Sequence, residues 1–581
     1  MREISRFRLG LALTLVPVMG QFLVVAFLGV NTPVADELFF TRFIHRVHEG
    51  KGWLPLVWAQ HNEHRIVPVR LTMAFLEPFV GWSPRAEMYV SAVLAGLVVL
   101  GLWRLYRRAG GADLLIFAPA AWLFCNLAQY ENMLYGLQMC HYFTALGIVW
   151  ALVFLARGSA PGIGLAALSG FTASVSILNG FLVWPAGLFL LLARRERWGR
   201  IAAWCLAGAA TSVLFFLGYV PPAGIEALHP GWRDLPRVAA YVLALLGSPL
   251  AGGSQAWAVA AGLAPLAVAL ALGLAWARWG KERMRDDALP VSLLLFGLLS
   301  ALMIAAGRAL TGIPPLQSRY VIYSALGIIG VYLLAARSAE RSRPLASPWL
   351  AAALALLIPG VIASDLQGYA YAKLWRAARV RDQYYFQTFE LQPDEVFGNP
   401  KVAEWLRLTG PYLRRYRLGA FSEPLHLLVP VRMEEPAAAG LLAAGPLVAG
   451  KPVELRLACP VDTLWDMAVA MSREGPPEGS SLSVSLWAGG RRLGVRELPS
   501  VTLASGWVGW VRIPLDEPLK DCEGRALALR IESPDATPEG KVTMWTYPRY
   551  YQSDLRQAGA TLAPGRSLGI TLNGYHHGLM Q

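Results

Sequence analysis

For its first 360 or so residues the chain alternates between long apolar runs and short polar breaks, and then its period changes. Runs near 9–30, 86–103, 112–128, 138–156, 162–178, 181–194, 201–218, 256–276, 290–308, 319–336 and 347–363 are rich in Leu, Ala, Val and Gly and poor in charge. A membrane-spanning helix needs about 20 such residues, so the pattern predicts about eleven spans. A further stretch, Val238 to Leu250, is short for a span and fits a re-entrant or interfacial helix; a crossing there would change the parity of the topology. From about Val448 the period falls to two, as in Val453-Glu454-Leu455-Arg456-Leu457, Leu482-Ser483-Val484-Ser485-Leu486, Trp507 to Ile513 and Ala526 to Ile531. Short alternating runs between Gly and Pro turns predict a β-sandwich, jelly-roll-like in type. The expected organisation is a helical membrane domain over 1–364 with a long outer loop at 31–85, a mostly helical connector over 365–440, and the sandwich over 441–581.

Composition agrees with this division. Hydrophobic residues make up 55% of the chain and charged residues 16%, against about 25% charged in soluble domains. The basic start at Arg2, Arg6 and Arg8 precedes an apolar run too long for the ~7–15-residue core of a signal peptide, so a retained helix is expected. The net charge of +13 does not point to nucleic acid, because no basic stripe interleaves with aromatics. Instead the arginines cluster at 2–8, 104–108, 157, 194–200, 278–285 and 337–343, all on one side of the eleven-span topology. The positive-inside rule makes that side cytoplasmic. The N-terminus then lies inside, and the C-terminal domain lies outside a bacterial cytoplasmic membrane. Cys459 and Cys522 both fall in that domain, where a disulfide would suit an oxidising exterior.

The candidate chemistry sits in the outward segments. Asp36-Glu37 follows the first span, Gln60-His61-Asn62-Glu63-His64-Arg65 lies further along the same loop, and Glu131-Asn132 with Gln138 and His141 follows the third span. Asn179 precedes Trp184-Pro185, and Arg308 and Arg319-Tyr320 bound a later outer loop. Polar groups at membrane depth are costly and usually face a cavity or one another. A carboxylate there can act as a base on a hydroxyl, and arginines such as Arg65 and Arg319 can hold a phosphate through paired hydrogen bonds.

At these residues the chain resembles the GT-C superfamily of integral membrane glycosyltransferases, in a little-characterised bacterial branch, over roughly residues 1–363. The resemblance implies a polyprenyl-phosphate-linked sugar as donor, a cell-envelope glycan, lipid or protein as acceptor, and chemistry at the outer face of the membrane. It assigns Asp36 as the catalytic base, with Glu37 supporting it or taking its place. Members of the superfamily differ in their use of a divalent metal ion, and no metal signature stands out here.

Each residue also has a plainer reading. Asp36 and Glu37 can cap a helix start. His61 and His64, three apart, would share a face of a helix, where hydrogen bonding or substrate contact outweighs metal binding. Arg319 can snorkel to the interface, Glu131 can face either a pocket or water, and the tryptophans can form an interfacial belt. Two rivals to the enzyme follow: a transporter or flippase for a lipid-linked glycan, and a non-catalytic membrane protein that binds envelope glycan.

Overall fold

The computed structural model describes residues 2–221, 231–279, 281–342, 348–387, 389 and 400–423, and the strands between 442 and 575. These residues fall into two compact units. One joins Met1–Val30 to Phe39–Arg376, and the other joins Asn31–Leu38 to Ala377–Gln581.

The first unit is a multi-pass helical membrane bundle. Each of the eleven predicted spans is a helix. Eight of them are long and apolar enough to cross a bilayer: Ile4–Leu28, Pro84–Arg108, Gly136–Leu155, Trp198–Phe216, Gln255–Arg278, Met284–Arg308, Ser318–Glu340 and Pro348–Val380. The other three are shorter: Leu114–Phe124, Ala160–Ser174 and Val183–Ala193. Two of those runs continue into 3-10 turns, Leu127–Gln129 and Leu178–Leu182, whose residues a hydropathy window counts with the helix. The 238–250 stretch overlaps a thirteen-residue helix, Leu235–Gly247.

Burial separates the centre of the bundle from its lipid-facing rim. In the most apolar stretches of Gly136–Leu155 and Ser318–Glu340, 78% of the residues are buried, whereas in that of Gln255–Arg278 only 22% are, and Leu263, Leu270 and Leu274 turn outward. Small residues allow the central helices to approach closely. A Cβ added to Gly297 would come within 2.7 Å of the Gly327 Cα.

The arginine clusters gather at one end of the bundle. There Glu340 accepts hydrogen bonds from Tyr106 Oη at 2.5 Å and from the backbone N–H groups of Ala112 and Asp113. Arg6 pairs with Asp113 at 2.6 Å, and Arg337 pairs with Asp287. Arg308 lies at the far end of the helix that carries Asp287, roughly 30 Å away at 1.5 Å per residue.

In the second unit, helix Pro400–Arg415 leads to a buried turn, Gly419–Ser422. Twelve strands follow among the described residues: β1 (Leu442–Pro446), β2 (Val453–Ala458), β3 (Thr463–Glu474), β4 (Ser481–Ala488), β5 (Arg491–Pro499), β6 (Gly509–Leu519), β7 (Ala526–Glu532), β8 (Lys541–Pro548), β9 (Ser553–Gln557), β10 (Ala560–Thr561), β11 (Arg566–Leu568) and β12 (Ile570–Tyr575). They form two antiparallel six-stranded sheets. One runs β1-β8-β3-β12 with β11 on β8 and β6 on β3; the other runs β10-β9-β2-β7-β4-β5. The alternation seen in the sequence builds one core shared by both sheets, with Val453, Leu455, Leu482, Val484, Leu527 and Leu529 meeting Leu464, Met467, Val469, Val511 and Ile513. That is a sandwich. Its Cys459 and Cys522 are joined in a disulfide with Cα atoms 5.7 Å apart, spanning 63 residues.

Closing a loop of that length restricts the unfolded chain, so replacing both cysteines with serine is expected to destabilise this unit by about 4 kcal/mol on the chain-entropy account. A denaturant titration followed by β-sheet signal checks this, and an unchanged midpoint would contradict it.

Candidate functional site

At the bundle end away from the arginine clusters, the polar residues of five connections meet. The 60–65 segment is central to them, and it is not helical. His61 and His64 exchange backbone hydrogen bonds of 2.8 Å in both directions and form an isolated antiparallel bridge. The tight turn between them is made possible by Asn62, whose φ of 49° lies in the left-handed region that Asn tolerates. The expectation that the two histidines share a helix face is therefore corrected: they sit opposite each other across a turn.

The turn projects Glu63 toward Arg308, with Oε1 3.2 Å from Nη2. The same carboxylate oxygen lies 3.6 Å from His64 Nε2. His64 Nδ1 accepts the backbone N–H of Leu178 at 3.2 Å, which places the proton of the neutral ring on Nε2, facing Glu63. Burial lowers the His64 pKa to about 4, with His61 and Arg308 adding to the shift and Glu63 opposing it. Between pH 6.5 and about pH 4, the unfolded chain takes up a proton that the folded chain refuses, so stability falls as the pH drops through that window. The slope is at most about 1.4 kcal/mol per pH unit. Thermal melts at pH 7 and pH 4.5 should show a larger acid loss for wild type than for His64→Asn; equal losses would contradict the assignment.

Arg65 is placed differently from a phosphate clamp. Its Nε, Nη1 and Nη2 donate to the carbonyls of Phe215, Trp58 and Leu217 at 2.7, 2.8 and 2.7 Å, and its plane lies over the Trp58 and Phe215 rings. Two of those carbonyls close the C-terminal end of helix Trp198–Phe216, where backbone acceptors have no helical partner. All three nitrogens are thus committed to scaffold. Arg70 does similar work on the carbonyls of Val57 and Ala59.

The second part of the cluster joins the 126–132 turn to the start of helix Ser318–Glu340. Glu131 N–H donates to Ser318 Oγ at 3.1 Å, and Asn132 Nδ2 donates to the Arg319 carbonyl at 3.2 Å. Burial raises the Glu131 carboxyl above its ordinary range, opposed by the Arg319 charge. Arg319 itself has no carboxylate within salt-bridge distance among the described residues. Its side chain is half-buried, lies over the Tyr320 ring, and has its Nε buried without a partner. Asn132 Oδ1 and Asn179 Nδ2 are likewise buried without partners. His141 is buried and hydrogen-bonds Tyr323 at 2.6 Å, within electrostatic reach of both Arg319 and His64. Gln138 is buried just before it.

Asp36 and Glu37 belong to the second unit. Asn31 fixes their loop there, donating to Ser422 Oγ at 2.7 Å and to the Gly419 carbonyl. Glu37 is fully buried, and its Oε2 accepts the Val34 N–H at 2.8 Å, a capping role. Asp36 is half-buried.

Among the described residues, no three His, Cys, Asp or Glu side chains converge as metal ligands. Arg308 sits on the Glu63 oxygen that also faces His64, so that pair does not fit a cation.

Sequence reasoning missed Tyr323, Tyr241 and the polar stripe Ser364, Gln367, Gly368 and Tyr371. Tyr241 senses both Arg308 and Arg319. The stripe carried a readable signal, since its spacing of three, four and seven marks one helix face.

No family model matches the chain. No curated protein matches it. Among solved structures it is similar to the Archaeoglobus fulgidus oligosaccharyltransferase in complex with zinc and sulfate, at TM-score 0.35 and 13% identity, covering 64% of this chain and 55% of that one. It is also similar to the archaeal oligosaccharyltransferase AglB from Archaeoglobus fulgidus in complex with an inhibitory peptide and a dolichol-phosphate, at TM-score 0.36 and 12% identity, covering 70% of this chain and 59% of that one. The chain thus spans little more than half the length of the solved proteins it matches.

Proposed function

We propose that the chain is a membrane glycosyltransferase that moves a sugar from a polyprenyl-phosphate donor to a cell-envelope glycan, lipid or protein at the outer face of a bacterial cytoplasmic membrane. The observation that carries this reading is Arg319: a half-buried guanidinium with an orphaned Nε. A cation so placed, beside Glu131, suits a phosphate that arrives with its lipid. The orientation rests on the arginine clusters at the other end of the bundle.

Within this reading Asp36 is the general base that removes the acceptor hydroxyl proton as the sugar–phosphate bond breaks and polyprenyl phosphate leaves. Glu37, held by the Val34 N–H, shapes the loop. Glu63, His61, His64, Glu131, Asn132, Gln138, Asn179, Arg308, Arg319 and Tyr320 bind substrate or set its surroundings, while Arg65 supports their scaffold. The sandwich is a docking surface for the acceptor glycan.

The test compares wild type with Asp36→Asn and Glu37→Gln, each inserted and folded, in transfer from labelled polyprenyl-phosphate sugars. Loss of transfer in Asp36→Asn, with partial activity in Glu37→Gln, is the expected result. Equal transfer by wild type and Asp36→Asn would remove Asp36 as the base.

A further inference from the structure

The polar stripe on helix Pro348–Val380 faces a cavity within the first unit. The cavity is partly open and holds about 240 Å³, far more than the roughly 10–15 Å³ that a lone water needs. Its walls come from four segments. Glu131 belongs to the turn after Leu127, and Ser248 and Gly253 to the turn before helix Gln255–Arg278. Gln317 and Ser318 stand at the start of helix Ser318–Glu340, and Ser364, Gln367 and Tyr371 come from the stripe.

These segments are fastened to one another. Asp365 accepts the Leu127 N–H at 2.7 Å, Ser364 accepts the Gly252 N–H at 3.0 Å, and Asn126 donates to the Pro249 carbonyl at 3.2 Å. Gly368 permits the approach, since a Cβ there would lie 2.2 Å from the Leu127 carbonyl oxygen. One wall is aromatic: the Tyr130 ring stacks on Tyr371 at 6.0 Å and 17°, with Trp375 against its edge. The walls of the cavity are therefore tied together by side-chain-to-backbone hydrogen bonds, a close helix approach at Gly368 and a packed ring.

We propose that this cavity binds a single neutral saccharide ring. Among the described residues the lining contains hydroxyls, carboxamides and one carboxylate but no Lys or Arg, which disfavours a phosphate and suits a ligand of many hydroxyls. Tyr371 offers a flat face for the C–H side of a pyranose. The two tyrosines stack on each other and do not enclose a volume on several sides, so they form no cage for a quaternary ammonium. The seat for its biological role rests on the transferase reading: Glu131 and Ser318 form its wall next to Arg319, so the ring bound there is the acceptor sugar.

The experiment is saturation-transfer NMR on the full-length chain in nanodiscs, with the methyl glycosides of glucose, mannose and N-acetylglucosamine as probes and tetramethylammonium as a comparator. At least one glycoside should receive saturation, and that signal should fall at least five-fold in Gln367→Ala and Tyr371→Leu. If Tyr371→Leu does not fold, Gln367→Ala carries the test. No signal from any glycoside, a signal unchanged in the variants, or binding of tetramethylammonium alone would overturn the proposal. Binding is read without turnover, so bound glycoside in a chain that transfers no sugar would sink the transferase reading and leave the saccharide site standing.

Discussion

Replacing Arg319 with glutamine is expected to lower sugar transfer by about 100- to 1,000-fold without unfolding the protein. The magnitude is that of removing one preorganised, charge-assisted donor from a developing oxyanion, about 2.7–4 kcal/mol. Arg319 leads the cationic candidates because its rivals are engaged. Arg65 spends all three nitrogens on carbonyls, and Arg308 is paired with Glu63. Loss of Arg319 breaks no salt bridge among the described residues, so stability should change little. Lysine at the same position keeps the charge but lacks the planar fork, and should restore only part of the rate. Transfer kinetics on matched, folded variants check the point; wild-type kinetics in Arg319→Gln would show that the residue merely anchors its helix at the interface.

Arg65→Ala should act in the opposite sense, through the fold. The substitution strands one buried and two part-buried carbonyls and removes a cation that lies over the Trp58 and Phe215 rings. Hydrogen bonds to charged groups contribute about 1.5–3 kcal/mol each, and such losses are not additive, so a destabilisation of about 3–5 kcal/mol is expected. Lysine offers one point donor where three directions are needed and should recover little. A shift of less than about 1 kcal/mol in the unfolding free energy would show that the contacts are dispensable.

The helical unit and the sandwich were legible in the chain because each rests on a local period. Runs of apolar residues marked helical segments, eight of which among the described residues are long and apolar enough to cross a bilayer, and alternation at Val453–Leu457 and Leu482–Leu486 marked strands that share one core. Span length was less legible: hydropathy does not distinguish Val183–Ala193 from the 3-10 turn that precedes it. The turn at Asn62 was not legible for a related reason. Two histidines three apart fit a helix, and a single left-handed residue is enough to exclude one.

The role of Arg65 and the partner of His64 were beyond reach. The first depends on carbonyls 150 and 152 residues away, and the second on a backbone N–H 114 residues away. Composition says nothing about either. Asp36 shows the same limit, since its loop is fixed by Asn31 to a turn 391 residues further on.

The most direct measurement of the central claim incubates the purified, nanodisc-embedded wild-type chain with a panel of polyprenyl-phosphate sugars, labelled separately in the sugar and in the lipid, and an envelope acceptor extract. Sugar label should enter the acceptor as free polyprenyl phosphate appears in equal amount. Movement of the intact lipid-linked sugar across the membrane, with neither label released, would contradict it and make the protein a transporter.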